Sequence, residues 1–174
     1  MTTQINNFKK ATFVLLFTPA IFGIQFTIAQ DDAPPRTNSI GGHFGTVHLL
    51  VINSGGTTKT IADEYNVGFP TGVTIKTSDK FAFDIECVPF VSPHTDVHFL
   101  FHPGALFPLK KNFTFGTRAA FEIGKGLWGF TPLINKAFPM KNGTAFFVEL
   151  VLPVRFDDAL NTTTIAGLHL GIGF

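Results

Sequence analysis

The run TTTIAGLHLGIGF, residues 162–174, puts Ala166, Leu168, Leu170, Ile172 and Phe174 on one parity and Gly167, His169, Gly171 and Gly173 on the other. A repeat of two is the period of a β-strand, whose successive side chains leave on opposite faces, and it is incompatible with the 3.6-residue period of a helix. One face is therefore apolar and the other small or polar. Two environments satisfy such a strand: the half-buried sheet of a soluble protein, or a sheet with lipid on one side and a filled lumen on the other.

The same period runs through most of the chain. Between Lys80 and Val91, Phe81, Phe83, Ile85 and Cys87 alternate with a parity that includes Asp84 and Glu86. From Phe113 to Gly124, Phe113, Phe115, Ala119, Phe121 and Ile123 oppose Arg118 and Glu122, and from Thr144 to Asp157, Phe146, Val148, Leu150, Leu152, Val154 and Phe156 oppose Glu149 and Arg155. Tyr65 to Lys76 and Asp96 to Leu109 alternate similarly. Ile40 to Ile52 and Leu127 to Met140 are less regular but rich in β-formers. With the terminal run these predict eight strands.

Connector length adds an independent signal. Thr77 to Lys80 (TSDK), Lys110 to Asn112 (KKN) and Lys141 to Gly143 (KNG) have the chemistry of tight hairpin turns. Asn53 to Glu64, Ser92 to Thr95, Lys125 to Gly126 and Asp157 to Thr162 are generally longer or more irregular. The tight turns follow the second, fourth and sixth strands, so they share one end of the molecule with both termini. A bacterial outer-membrane barrel keeps its short turns and both chain ends on the periplasmic side.

Ahead of the strands, Lys9 and Lys10 precede an apolar run from Ala11 to Ala29 that ends on small residues. This has the three parts of a secretory signal peptide. Residues 1–29 are expected to be that signal, with cleavage after Ala29, residues 30–37 a short periplasmic segment, and residues 38–174 the barrel domain. The signal carries two of the 13 basic residues and none of the 12 acidic ones, leaving the remainder at a net charge of −1. A near-neutral chain offers no electrostatic case for nucleic acid. The single cysteine, Cys87, excludes an intrachain disulfide framework. Charged residues make up only 14% of the chain and Phe occurs 22 times. Beyond the signal, however, no stretch is long and apolar enough for a spanning helix. Apolar surface distributed at period two is how a membrane barrel carries its hydrophobicity.

Eight alternating strands after a signal peptide, closing on an aromatic residue, resemble the small outer-membrane β-barrel proteins of the OmpA-transmembrane-domain and OmpX type. LHLGIGF resembles the C-terminal strand signal of such chains. HPGALFPLKKNFTFGTRAAFEIG resembles the strand, turn and strand unit of the outer-membrane β-barrel domain families. The resemblance covers about residues 38 to 174. It implies an all-β, eight-stranded, antiparallel, up-and-down transmembrane barrel in the outer membrane of a Gram-negative-type envelope, monomeric, with periplasmic termini. Its implied partners are outer-membrane lipid and the barrel assembly machinery, the latter met through the C-terminal strand with Phe174 as assembly signal.

An eight-stranded barrel has an interior just wide enough for side chains to fill. Asp84, Glu86, Arg118, Glu122, Glu149 and Arg155 are expected to face it, and buried charges must pair, so a lumenal charge network that plugs the barrel is expected. His94, His98 and His102 share one strand face but span ~13 Å end to end, too far for a single ion needing ligands at about 2.1 Å; no metal site and no cofactor are expected. No histidine has the Ser two positions on that lipid A deacylase-like barrels need: His169 is followed by Gly171, His98 by Leu100 and His102 by Gly104. The expected role is non-enzymatic, structural or in surface interaction. The alternatives are a lipid-modifying outer-membrane enzyme, a narrow porin-like pore, and a soluble exported lipocalin-like ligand-binding barrel, in which every face would be reversed. Pro103, Pro132 and Pro153 fall inside expected strands and call for bulges or positions near the membrane rim. A further bulge is expected near Gly45, where the apolar parity of the first strand changes.

Overall fold

The computed structural model describes residues 39–93, 97–141 and 143–174; the expected signal peptide, the expected periplasmic segment, Asn38 and His94 lie outside them. The described strands are β1 (Ser39–Ser54), β2 (Thr57–Thr60), β3 (Val67–Gly68), β4 (Thr71–Ser78), β5 (Phe81–Val91), β6 (Val97–Pro108), β7 (Phe113–Ile123), β8 (Leu127–Pro139), β9 (Ala145–Val151), β10 (Val154–Phe156) and β11 (Thr162–Gly173). Every pairing between them is antiparallel. β2, β3 and β4 form one interrupted stave against β1, and β9 and β10 form another between β8 and β11. β11 returns to pair with β1, which closes an eight-staved, up-and-down barrel. Among the described strands only β2, which pairs with β1 alone, keeps an open edge; elsewhere closure lets the backbone polar groups of the wall pair within the wall. At the seam, Gly42 and Phe174 exchange both backbone hydrogen bonds, at 2.8 and 2.9 Å.

Side-chain parity follows the alternation. In β5, Ala82, Asp84, Glu86, Val88 and Phe90 are buried, whereas Phe83, Ile85 and Cys87 between them are exposed. β7, β9 and β11 repeat this, with Phe115, Phe121 and Leu150 exposed and Arg118, Glu149 and His169 buried. Lys136, of outward parity on β8, reaches the tight-turn end, where it donates to the Lys111 carbonyl and lies over the Phe113 ring at 4.5 Å. A lysine at that height keeps its ammonium at the rim while its stem covers apolar surface.

The prolines are accommodated without the expected bulges. Pro103 stays in register opposite Ile85 within β6. Pro132 and Pro153 both fall where the seventh stave breaks between β9 and β10. Leu152 donates to the Pro132 carbonyl at 2.9 Å and Ile165 to the Pro153 carbonyl at 2.8 Å, so each seam keeps one hydrogen bond where proline removes its reciprocal. The register of β8 against this stave is the same on both sides of the break, from Leu133 opposite Val151 to Phe130 opposite Val154. The bulge in β1 lies between Leu49 and Val51, not near Gly45. It turns Val51 outward while Val47 and Leu49 pack inward.

The connector expected from Asn53 to Glu64 is partly strand. β1 and β2 pair as a hairpin, with Asn53 opposite Thr58 and Ser54 opposite Thr57, while β1 stays paired with β11 as far as Ser54 opposite Thr163. They turn at Gly55 and Gly56, both at positive φ (57° and 79°), a geometry glycine adopts without steric cost. Near the base of this hairpin, Asp63 accepts from the backbone amide and hydroxyl of Thr60, each at 2.8 Å, which holds its carboxyl below the usual range. In the connector between β10 and β11, the Asn161 side chain and amide do the same to Asp157, together with the Ala159 amide.

Candidate functional site in the barrel interior

Every residue expected in the lumenal charge network is buried or nearly so, and the structure brings them into two clusters. In the first, Arg118 from β7 is 3% exposed. Its Nε donates to Asp84 Oδ2 at 2.7 Å and its Nη1 to Glu149 Oε1 at 2.8 Å, while Nη2 lies 3.7 Å from Glu86 Oε2. One guanidinium thus faces three carboxylates from β5 and β9. The inward glycine opposite it, Gly104, is what makes room, because a Cβ there would stand 2.5 Å from Arg118 Cγ. In the second cluster, Arg155 Nε donates to Glu122 Oε1 at 2.9 Å, and Arg155 Nη1 donates to Thr131 Oγ1 at 3.1 Å and to the carbonyls of Phe130 and Val154. His98 Nε2 lies 3.3 Å from Glu122 Oε2.

Histidines and short polar side chains join the two. His102 lies 3.1 Å from Glu86 Oε1 through Nδ1 and 2.8 Å from Thr131 Oγ1 through Nε2, which links the Arg118 cluster to the Arg155 cluster. Glu149 also contacts His169 Nδ1 at 3.2 Å and accepts from Asn135 at 3.3 Å. Asp84 Oδ1 accepts from Thr74 at 2.7 Å. His43, from β1, sits between two acids, its Nε2 3.1 Å from Glu86 Oε2 and its Nδ1 3.9 Å from Asp84 Oδ1. His43, His169, Thr74, Thr131 and Asn135 were not among the expected network. Parity alone could have placed them inside, since each shares the face of a lumenal charge or of inward glycines. The expected shared face of His98 and His102 is observed, but the two are held by different acids.

Along the inward face of β6, β7 and β8, Leu100 falls between His98 and His102, Ala120 between Arg118 and Glu122, and Leu133 between Thr131 and Asn135; with Val47, Val88, Phe90 and Val151 they form an apolar cluster across the interior. An internal void of only about 30 Å³ is lined jointly by members of this cluster and of the charge network. Below it, a cup of about 260 Å³ faces the tight-turn end. Its polar lining includes His43, Asp84, Arg118, Asn135 and Glu149, and its wall includes Leu106, Phe147 and Phe174. The interior is therefore filled by side chains around the small void and indented toward the tight-turn end. Such an arrangement can hold a small polar or charged species at the floor of the cup.

No protein-family profile and no curated protein matches the sequence. Among solved structures, the chain is similar to the outer membrane protein OprG from Pseudomonas aeruginosa at 10% identity, over 79% of this chain and 95% of that one, with a TM-score of 0.41. It is similar to the outer membrane protein AlkL in lipid bilayers at 9% identity, over 83% and 95%, with a TM-score of 0.44. It is also similar to the attachment invasion locus protein Ail of Yersinia pestis, in complex with a heparin analogue, at 9% identity, over 79% and 98%, with a TM-score of 0.39.

Proposed function

We propose that this chain is an integral outer-membrane β-barrel, non-enzymatic, with a plugged lumen and a structural or surface-interaction role. The observation that carries the reading is the inversion of polarity across a closed wall. Asp84, Glu86, Arg118, Glu149 and Arg155 are 1–3% exposed inside it, while Phe83, Phe115, Phe121 and Phe130 are about half exposed outside. A soluble lipocalin-like barrel needs the opposite arrangement, with charges in water and aromatic rings within. In lipid, a closed ladder is one of the two ways a backbone can cross with its polar groups satisfied, and an apolar outer band is its normal companion.

In this reading the tight turns and both termini face the periplasm, and the β1–β2 hairpin projects outward. The surrounding lipid is the main partner, the protein is a monomer, and the C-terminal strand with Phe174 is the address read by the barrel assembly machinery. The apolar cluster packed between the polar side chains supports a plugged lumen. The deciding experiment is fractionation followed by electrophoresis. The protein is expected in the detergent-soluble outer-membrane fraction, and unboiled samples are expected to run at a different mobility in SDS from boiled ones, because a ladder without edges must break as a unit. A protein that dissolves without detergent and gives one band regardless of heating would defeat the proposal.

Orientation has its own test. An epitope tag inserted between Gly55 and Thr58 is expected to be reachable by antibody on intact cells, and one at Lys111 only after the outer membrane is opened. Surface labelling at Lys111 alone would invert the topology.

A further inference from the structure

The permanent charges inside the barrel do not balance. Among the described residues, Asp84, Glu86, Glu122 and Glu149 face two guanidiniums, Arg118 and Arg155. The rim pair Lys76 and Asp79, 3.1 Å apart, cancels itself. Two negative charges are left over in a buried space, where uncompensated charge is costly. Either histidines take up protons or a cation enters.

The geometry points to a place for the cation: we propose that the floor of the cup binds one divalent transition-metal ion of the zinc type through His43, Asp84 and Glu86. One ring nitrogen of His43 and one oxygen from each carboxylate lie within 4.8 Å of one another. The 3.1 Å separation of His43 Nε2 and Glu86 Oε2 lets an ion about 2.1 Å from both subtend roughly 95°, between octahedral and tetrahedral angles. A modest inward movement of Asp84 completes three ligands. A nitrogen and two carboxylate oxygens are a donor set for zinc or its neighbours in the first row, and an all-oxygen set would suit calcium or magnesium instead.

Three further features support this site. His43 and Asp84 line the cup, which faces the tight-turn end, so an ion has an entry path. Both acids already carry outer partners, Thr74 on Asp84 and His102 on Glu86, which is how ligating carboxylates are ordinarily oriented. Beside the cluster stands His169, 2% exposed, with its ring centroid 6.4 Å from that of His43. Its Nδ1 faces Glu149, and its buried Nε2 has no hydrogen-bond partner among the described residues. A carboxylate on one ring nitrogen with a lone pair left on the other is the usual state of a ligand histidine; that nitrogen lies beside Gly45, on the same inward face of β1 as His43. Arg118 opposes a cation, but its charge is already engaged by Asp84 Oδ2 and Glu149.

The test uses tag-free folded protein in detergent and the metal alone. Titration with Zn²⁺ is expected to give one saturable site with proton release, since ligands must be deprotonated. Co²⁺ in its place is expected to give a visible absorption band and to broaden the imidazole NMR signals of His43 more than those of His48. His43→Gln is expected to weaken binding at least about 100-fold, a loss no smaller than that seen when outer-shell partners are removed. His48→Gln, on the outer face, is expected to leave binding unchanged. The paramagnetic experiment on unsubstituted protein decides the matter even where H43Q does not fold. Absence of saturable one-to-one binding, or binding indifferent to His43→Gln, or broadening confined to His48, would overturn the proposal.

Discussion

Replacing Arg118 by methionine is expected to destabilise the folded barrel by about 3–5 kcal/mol, the cost of breaking a buried charge pair from one side. Methionine fills much of the same volume and needs no hydrogen bonds. What it removes is the one guanidinium that faces Asp84, Glu149 and Glu86 together. Those carboxylates are 1–3% exposed and cannot recover their hydration within the wall. The measurement is urea unfolding in a lipid-reconstituted sample, with folding scored by gel mobility. Adding Glu149→Gln and Asp84→Asn to Arg118→Met is expected to restore part of the loss, because the penalty belongs to the stranded charges more than to the missing bonds. A loss below about 1 kcal/mol for the single variant would mean that water reaches the network freely, and the lumen would then not be plugged.

Arginine in place of Leu150 is expected to cost about 2–4 kcal/mol in a bilayer, the range for a cationic residue near the midplane of a barrel's lipid face. Leu150 is 42% exposed, lies within β9, and stands opposite Ile134 on one side and Leu168 on the other. All three are apolar and of outward parity, so an arginine there has no partner and a long way to reach headgroups. The same change at Thr57, exposed beside the β1–β2 turn, is expected to be nearly silent. This comparison separates a lipid-facing surface from a water-facing one without assuming any function. Equal tolerance at the two positions in a lipid-reconstituted unfolding assay would favour a soluble barrel.

How far the sequence reached depended on the kind of physical constraint involved. Side-chain parity is a local property of extended backbone, since residues i and i+2 share a face whatever the strand pairs with. For that reason the outward Phe83, Phe115 and Phe121, the inward Asp84, Arg118 and Glu149, and the three tight turns were legible before any partner was known. Composition and the closing alternation likewise determined an all-β barrel in place of helices. The stagger between strands was not legible, because it depends on where eight staves settle against each other when the wall closes. Only that stagger put Arg118 among three acids from β5 and β9, carried His43 from β1 to a position between Glu86 and Asp84, and left His98 and His102 on different acids. The bulge in β1 could be anticipated but not located: period two says that a face changes, and only the pairing with β11 fixed the change between Leu49 and Val51. The apolar cluster of Val88, Phe90 and Leu100 went unread for a related reason. These residues share the parity of the lumenal charges, and a lumen that is polar at one level and apolar at the next is decided by the height at which each strand crosses its neighbours.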